Sequence, residues 1–300
     1  MRVALIGYGA VAAVHARAIS ESAELVTVCG PDEKKAEAFA RLHNIPHAGT
    51  ELRNALGRSD AAILCSPSPL HFSQGIAALE GGSNVLLELP ACTSIAEAEI
   101  LSALAASNRL VLQCAHTSRY LEPYRRIAAW IRTGALGEIR HVHYIRLMLP
   151  RVRSWADDAL LHHAQHPLDL FLHWFEAIEP RGCAARPSVP GAQDISLVGS
   201  VYDKVPVTIS ISYSSRLPEL KMTIIGSKHT IATDGFTYIS SDDPSFRWQG
   251  DEQKVYETAI QEQDRAFLNA CRSKDGGIPW SETMKLTGCV GEFANLWNRN

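Results

Sequence analysis

The feature that most constrains the fold is an alternation of short apolar runs with longer amphipathic runs over roughly the first 115 residues. The apolar runs include "RVALIG", "ELVTVCG", "DAAILCS" and "NVLLE", and a segment with helical periodicity follows each of them. Strands that alternate with helices are joined by crossovers, which predicts a parallel sheet with helices on both faces. The runs are apolar almost throughout, as expected for strands covered on both sides.

Beyond His116 the pattern changes to helical segments and consecutive strands. "EPYRRIAAWIRTG" has helical periodicity and ends at Gly134, and "EIRHVHYIRLML" has β character. Several strand-like runs separated by turn residues occupy about 181–240, and two helical stretches follow, at about 254–272 and 281–297. Runs of consecutive strands predict an antiparallel sheet with helices on one face. We therefore expect an α/β chain with two domains.

The predicted domains have a boundary near residue 118. Residues 1–118 would form a doubly wound parallel sheet, and residues 119–300 an α+β domain with a mostly antiparallel sheet. The net charge of −3 gives no general attraction to nucleic acid or acidic membranes. No apolar run approaches the ~18 residues of a membrane span. The seven scattered cysteines, without any CxxC, fit reduced thiols in a cytoplasmic protein.

The stretch "GYGAVAAVH" directly follows the first strand and opens the first helix. It fits the pattern G-x-G-x-x-A with Gly7, Gly9 and Ala12. Gly7 allows a tight turn, Gly9 lets the backbone approach a pyrophosphate, and a small third residue lets helix and strand pack closely. We predict a dinucleotide-binding loop here; the alternative is an ordinary glycine turn. The other candidate contacts in this loop are Tyr8, Ala10 and Val11.

The end of the second strand bears on the choice between NAD and NADP. That strand normally ends in Asp or Glu, which binds the adenosine ribose of NAD. Here it ends at Gly30, which has no carboxylate to repel a 2′-phosphate, and Lys34 and Lys35 lie one turn into the next helix. These residues favour NADP(H) over NAD(H). Asp32 and Glu33 stand nearby and could restore NAD binding, and both lysines could simply be solvated.

Five segments occur in an order typical of one enzyme family. They are "GYGAVAAVHARAI", "ELVTVCGPDEKKAEAFA", "SPSPLHFSQGIAALEGGSNVLLELP", "SRYLEPYRRIAAWIRTGALGEI" and "HPLDLFLHW". Together they resemble the glucose–fructose oxidoreductase/inositol dehydrogenase (Gfo/Idh/MocA) family. The resemblance implies an N-terminal Rossmann domain and an open antiparallel sheet in the C-terminal domain. It also implies NAD(P)-dependent redox chemistry on a sugar, cyclitol or similar compound, and a homodimer or homotetramer formed through the C-terminal sheet. By resemblance or position, the further cofactor contacts are Ser66, Pro67, His71, Glu88, Leu89 and His116.

Two catalytic side chains that are usual in that family are absent. The strand-end motif is usually Glu-Lys-Pro, with a catalytic lysine, and residues 88–90 read Glu-Leu-Pro. The second-domain motif is usually Asp-x-x-x-His-x-x-Asp, and here His162 replaces the first aspartate while His166 and Asp169 remain. The proton chemistry of this protein is therefore expected to differ, because Leu89 can neither donate nor accept a proton.

The best candidate for proton transfer is His166. Its unperturbed pKa is near neutrality, and Asp169 one turn further on could orient its ring. His162, one turn back, and Tyr120, beyond the sixth strand, are further candidates. The segment around His166 has helical periodicity, but Pro167 leaves its geometry open. His162 and His166 could also grip zinc, but without a clear third ligand we expect no metal.

The missing lysine points away from ordinary sugar-alcohol oxidation. Biliverdin reductases and thiazolinyl imine reductases, which resemble this family, also replace it and reduce conjugated or imine-like bonds. We therefore predict an NADPH-using reductase of a C=N, activated C=C or keto group in a small molecule. The alternatives are a non-redox lyase, cyclase or isomerase on the same scaffold, and a cofactor-binding regulator without catalysis. Substrate contacts could include Arg119, although a solvated helix charge is commoner, and Trp155 with Arg151 and Arg153.

Overall fold

The computed structural model describes residues 1–20, 22–150, 158–188 and 191–298. The chain divides into two compact units, of which the first contains Met1–Thr117 and Glu257–Thr287 and the second Ser118–Tyr256 and Gly288–Asn300. The first division lies one residue from the predicted boundary. The sequence predicts residues 257–287 in the second domain, whereas in the structure they group with the first unit.

The first unit contains a six-stranded parallel sheet. Its strands are β1 (Arg2–Ile6), β2 (Glu24–Cys29), β3 (His47–Gly49), β4 (Ala61–Leu64), β5 (Asn84–Leu87) and β6 (Leu112–Cys114). They lie in the order β3-β2-β1-β4-β5-β6, and all neighbours are parallel. The order reverses between β1 and β4, and a crevice at such a switch point is where open α/β sheets bind ligands.

Five helices connect these strands in the described part of the first 117 residues. They are α1 (Ala10–Ile19), α2 (Glu33–His43), α3 (Leu52–Leu56), α4 (His71–Glu80) and α5 (Ile95–Asn108). Side-chain caps begin two of them: Asp32 accepts from Lys35 N–H at α2, and Ser94 accepts from Glu97 N–H at α5. The predicted alternation of strands and helices is confirmed.

The second unit contains an eight-stranded, mostly antiparallel sheet. Its strands are β7 (Ile139–Leu147), β8 (Glu179–Ser188), β9 (Gly191–Val201), β10 (Val205–Ser212), β11 (Glu219–Gly226), β12 (Thr230–Thr233), β13 (Tyr238–Ser241) and β14 (Trp248–Gln249). Their order is β14-β13-β12-β11-β7-β10-β9-β8, and only β7 and β10 are parallel among these described neighbours. Alternate residues of β10 are buried, so one sheet face is covered. The predicted fold class is confirmed in both units.

The histidine-rich segment folds as two short pieces. Helix α6 (Glu122–Arg132) precedes it; a π-helical turn then spans Ala159–His163, and α7 spans Gln165–Phe175. Pro167 lies in the first turn of α7, where its missing N–H costs no intrahelical hydrogen bond. The helical face expected around His166 is therefore interrupted at Ala164, which separates the two pieces.

Two long helices follow the second sheet, α8 (Glu252–Ser273) and α9 (Trp280–Trp297). Both agree with the predicted stretches to within two residues. Phe267, Leu268 and Cys271 of α8 belong to the same buried cluster as Leu5 and Ile63, which explains why residues 257–287 group with the first unit. Within the described ranges, every helix is too short or too polar to cross a membrane.

Candidate functional site

The turn after β1 has a backbone geometry that favours glycine. Gly7 has a φ of 110°, and its N–H donates to the Cys29 carbonyl at 2.7 Å. A β-carbon at Gly7 would lie 2.7 Å from the carbonyl oxygen of Cys65, which follows β4. Gly7 is therefore required for the close approach of the ends of β1 and β4. Ala12, the third small residue of the pattern, is fully buried, which agrees with a packing role.

The N-terminus of α1 is open. The helix begins at Ala10, preceded by Gly9, and no side chain among the described residues caps it. A β-carbon at Gly9 would meet no described atom within 4 Å. The first turn of a helix presents N–H groups without intrahelical partners, and these attract anions. Gly9, Ala10 and Val11 therefore fit a pyrophosphate group.

The Tyr8 ring occupies the space that a side chain at residue 30 would need. A β-carbon at Gly30 would overlap Cε1 of the Tyr8 ring. The Tyr8 hydroxyl accepts from Asp32 N–H at 3.1 Å, and the Asp32 carboxylate accepts from Lys35 N–H at 3.0 Å. Lys34 lies exposed in the first turn of α2. Residue 30 thus carries no carboxylate, while that of Asp32 stands two residues further on.

His71, the first residue of α4, links two strand ends. Its Nε2 lies 2.8 Å from the Ser66 carbonyl oxygen, and its Nδ1 lies 2.8 Å from that of Pro90. Burial lowers the pKa of His71, although both carbonyl groups oppose this shift. The Ser66 hydroxyl donates to Gln74, and Pro67 precedes a short 3-10 turn. Ser66, Pro67 and His71 therefore lie together at the carboxyl edge of the sheet.

Glu88 and Leu89 directly follow β5. The Glu88 side chain is 17% exposed, and its Oε1 lies 2.9 Å from Nε2 of His15 on α1. Leu89 is 8% exposed and is joined to Pro90 by a cis peptide bond. The position that carries the family's usual lysine therefore holds a buried apolar side chain.

His116 lies just beyond β6 and is fully buried. Its Nε2 lies 3.0 Å from the hydroxyl of Thr283 on α9. The adjacent Thr117 hydroxyl donates to Gln263 Oε1 on α8 at 2.8 Å. The structure thus places His116 in the hydrogen-bonded interior of the first unit, beside the segment that returns to it.

Three histidines and a tyrosine lie together in the second unit. The ring centroid of His163 is 4.6 Å from that of His162 and 6.1 Å from that of His166. His163 is buried and its Nδ1 is hydrogen-bonded to the Tyr213 hydroxyl, whereas His162 and His166 are partly exposed. Imidazole and phenol groups can each donate and accept protons. This histidine cluster, residues 162, 163, 166 and 213, is therefore a candidate for proton transfer.

Asp169 forms a buried ion pair with Arg119. Nε and Nη2 of Arg119 donate to the Asp169 carboxylate at distances of 2.6 to 3.1 Å, and the side chains are 7% and 1% exposed. The expectation of a solvated Arg119 is wrong, because a buried carboxylate needs a cation beside it. This carboxylate lies one turn beyond His166 on α7, and its role in orienting the His166 ring stays a prediction.

The remaining predicted site residues are Tyr120, Trp155, Arg151 and Arg153. Tyr120 ends the 3-10 turn Thr117–Tyr120, directly before α6, and is partly exposed. Trp155, Arg151 and Arg153 lie outside the described residues. Among the described ranges, no group of three or more His, Cys, Asp or Glu side chains could hold a metal ion.

Two site residues, His15 and Asp264, were not predicted from the sequence. The signal that could have revealed them is a polar residue on an otherwise apolar helical face. His15 lies on the buried face of α1 with Ala12, Ala16 and Ile19. Asp264 interrupts the buried face of α8 in the same way. Polar residues inside an apolar helical face usually have a specific partner. The hydroxyl partner of His163, Tyr213 on the segment after β10, left no comparable pattern in the sequence.

Comparison with known proteins supports an oxidoreductase. Residues 1–116 match the GFO_IDH_MocA sequence model, described as an oxidoreductase family with an NAD-binding Rossmann fold. The chain is also similar to a 4-carboxy-2-hydroxymuconate-6-semialdehyde dehydrogenase from Sphingobium sp.. The two are 28% identical over an alignment of 315 positions, which spans 99% of this chain and 98% of that protein.

Solved structures share the fold over the whole chain. A UDP-N-acetylglucosamine 3-dehydrogenase from Acidithiobacillus ferrooxidans has a TM-score of 0.85 at 21% identity, covering 100% of this chain and 98% of its own. A scyllo-inositol dehydrogenase from Lactobacillus casei, with NAD(H) and scyllo-inositol bound, has a TM-score of 0.80 at 15% identity. The latter match covers 100% of this chain and 97% of that one. Both likenesses concern the fold.

Proposed function

We propose that this chain, whose residues 1–116 match the model of the Gfo/Idh/MocA family of NAD-binding oxidoreductases, is an NADPH-using reductase. Its substrate would be a small molecule with a C=N, activated C=C or keto group. The observation that carries this proposal is the buried, apolar Leu89 after β5, together with a cluster of titratable groups in the second unit. Acid–base chemistry is thereby assigned to histidine.

The residues at the β1 and β4 ends would hold the cofactor. The N–H groups of the α1 first turn would bind its pyrophosphate, and Glu88 would accept a hydrogen bond from a ribose hydroxyl. When bound, a reduced nicotinamide supplies a hydride. Leu89 contributes an apolar surface that excludes water from this edge of the sheet, and it leaves the proton to another residue.

The preference for NADPH is supported by the end of β2. Residue 30 has no carboxylate, and the Tyr8 ring occupies its side-chain position. A cofactor 2′-phosphate would therefore meet no acidic group at residue 30. The exposed Lys34, in the first turn of α2, would be the cation available to bind it. The Asp32 carboxylate is engaged as a helix cap and lies 3.6 Å from the Lys35 ammonium, which offsets its charge.

Proton donation is assigned to His166. It is partly exposed, whereas His163 is buried and bonded to Tyr213. A protonated imidazole at residue 166 would deliver a proton to the oxygen, nitrogen or carbon that becomes electron-rich as hydride arrives. His163 would relay the replacement proton through its neighbours in the histidine cluster.

A second candidate activity is oxidation of an aldehyde that carries carboxylate groups. The full-length relative is named as a semialdehyde dehydrogenase of a carboxylated muconate. In the second unit, a cavity of about 360 Å³ is lined by Arg119, Arg125, Arg132 and His173. Cationic side chains of this kind favour an anionic substrate. Under this alternative, oxidised nicotinamide would accept hydride from the hydrate or hemiacetal of the aldehyde, and His166 would act as the base that takes its hydroxyl proton.

The test begins with calorimetric titration of the protein with NADPH, NADP, NADH and NAD. We expect NADPH to bind at least about tenfold more tightly than NADH, a difference of about 1.4 kcal/mol. Turnover is then measured on imines, enones, ketones and carboxylated aldehydes, with His166→Asn compared against the exposed His47→Asn. Absence of binding by all four nucleotides, or full activity of His166→Asn, would contradict the proposal.

We also propose that the protein is a homo-oligomer assembled through the open face of the second sheet. Val198, Thr208 and His143 are aligned across β9, β10 and β7 and so share one face. Val198 is 46% exposed, and Ile225, opposite His141 on the same face, is 39% exposed. Light scattering after gel filtration should give a dimer or tetramer, and Val198→Lys should shift it toward monomer. A monomeric wild-type protein would refute this assembly.

A further inference from the structure

His15 lies between two carboxylates inside the first unit. Its side chain is fully buried; Nδ1 lies 2.7 Å from Oδ2 of Asp264, and Nε2 lies 2.9 Å from Oε1 of Glu88. Ionised carboxylates only accept hydrogen bonds, so each ring nitrogen must carry a proton to satisfy both partners. The geometry thus requires an imidazolium whenever Asp264 and Glu88 are both ionised.

The surroundings favour that charge. Burial alone would lower the pKa of His15, but the Asp264 carboxylate raises it well above its usual value. The titratable groups that face the ring are Asp264 on α8, Glu88 after β5 and Cys65 after β4. Burial raises the pKa of the Cys65 thiol, so it remains neutral at physiological pH. Burial also raises the pKa of the Asp264 carboxylate, but His15 opposes that shift, and the Gln263 amide lies 3.4 Å from the same carboxylate. The 2.7 Å contact between His15 and Asp264 therefore favours a charged pair.

The three charged groups run from the core to the sheet edge. Asp264 and His15 are 1% and 0% exposed, whereas the Glu88 side chain is 17% exposed. The Glu88 N–H donates to the Leu64 carbonyl at 3.0 Å, which fixes its backbone beside β4. Glu88 is thus the accessible end of the series, at the same edge as the Gly7 turn.

We propose that His15 and Asp264 are positioning residues that hold the Glu88 carboxylate ionised and in a single orientation, ready to accept a hydroxyl group of the cofactor. Asp264 keeps the imidazolium charged and fixes its ring through Nδ1. The imidazolium donates Nε2–H to one Glu88 oxygen and leaves the other oxygen for the hydroxyl. This inference rests on the proposed cofactor site. It implies that Asp264, on α8, contributes to nucleotide affinity through His15 and Glu88.

The variant Asp264→Asn tests it. Asparagine keeps the shape and an oxygen acceptor but removes the charge, so the pKa of His15 should fall, because burial lowers it and, of the two carboxylates, only that of Glu88, 2.9 Å from Nε2, still opposes burial. NADPH affinity of the wild type should not fall from about pH 6 to pH 8. In Asp264→Asn it should fall at least about tenfold as the pH rises across that range and His15 loses its charge. Equal pH profiles for both proteins would overturn the proposal.

Glu257→Gln is the matched control. Glu257 also lies on α8 and pairs with a residue of α1, since its Oε1 is 2.9 Å from Nη2 of Arg17. Both of these side chains are exposed, at 38% and 52%. The pH profile of NADPH binding by Glu257→Gln should match that of the wild type. If Glu257→Gln acquires the same pH dependence as Asp264→Asn, the effect belongs to helix packing and the proposal fails.

A second measurement needs no variant that might misfold. Long-range ¹H–¹⁵N spectra of histidine-labelled wild type should show both ring nitrogens of His15 protonated at neutral pH, with and without NADPH. A neutral ring with one protonated nitrogen would overturn the inference. Failure of the wild type to bind any nucleotide would instead refute the proposed function, and the His15 spectrum would still report separately on the charge state.

Discussion

The Arg119 guanidinium forms a bidentate ion pair with the Asp169 carboxylate, with Nη2 2.6 Å from Oδ1 and Nε 3.0 Å from Oδ2. Both side chains are almost completely buried, and both belong to the second unit. Arg119 lies in the turn before α6, and Asp169 lies on α7, three residues after His166. The ion pair therefore links that turn to α7. The position of α7, and with it that of the histidine cluster, therefore depends on a charge interaction in the interior.

Replacing one partner of this pair should be costly. Asp169→Asn leaves the buried guanidinium without its anion, and we expect the free energy of unfolding to fall by about 3–5 kcal/mol. Urea denaturation monitored by fluorescence measures the change. Glu122→Gln is the control, because its ion pair with Arg126 is exposed and should contribute at most about 0.5 kcal/mol. Similar small effects of both substitutions would contradict the importance of burial.

The two glycines of the first turn should respond differently to alanine. Gly7→Ala places a β-carbon 2.7 Å from the Cys65 carbonyl oxygen at a positive φ, so stability should fall by about 1–3 kcal/mol. Gly9→Ala meets no described atom within 4 Å, so the fold should keep its stability. Its new methyl group would enter the proposed pyrophosphate space and weaken NADPH binding about tenfold or more. Thermal melts and calorimetry separate the effects, and undiminished affinity of Gly9→Ala would exclude this loop.

The contact between Tyr8 and Gly30 predicts a non-additive pair. Gly30→Ala overlaps the Tyr8 ring and should lower the free energy of unfolding by about 1–3 kcal/mol. The same substitution in a Tyr8→Ala background should cost much less, because the obstructing ring is gone. A double-mutant cycle by urea denaturation measures the coupling. Additive effects would show that the ring moves aside without penalty.

His71 should make stability depend on pH below neutrality. Its pKa in the folded protein is lowered because burial outweighs the hydrogen bonds to the Ser66 and Pro90 carbonyls. Between that value and about 6.5 the unfolded chain therefore binds more protons than the native one. Stability from this group is therefore complete above pH 6.5 and declines as the pH falls, by at most about 1.4 kcal/mol per pH unit. The stability difference between wild type and His71→Gln should shrink from pH 7 to pH 5.5. A stability difference independent of pH would refute the lowered pKa of His71. His47→Gln, at an exposed position of β3, controls for the loss of a histidine.

The sequence by itself determined the elements and the local turns. The alternation of apolar runs specified the parallel sheet, and "GYG" specified the tight turn, because Gly7 adopts a φ of 110° that other residues resist. Gly134 ended α6 as expected, with a φ of 66°. These properties depend on residues that are close in the chain, so spacing and residue type are sufficient to reveal them.

Only the tertiary structure decided which polar groups meet. Asp169 lies one turn beyond His166 in the chain, but its buried carboxylate also binds Arg119, which is 50 residues away in sequence. His15 and Asp264 are 249 residues apart and touch only because α8 returns to the first unit. The need for glycine at residue 30 likewise comes from the Tyr8 ring. Buried charges and close contacts are satisfied by whichever partner the fold brings near, and a single sequence does not encode that choice locally.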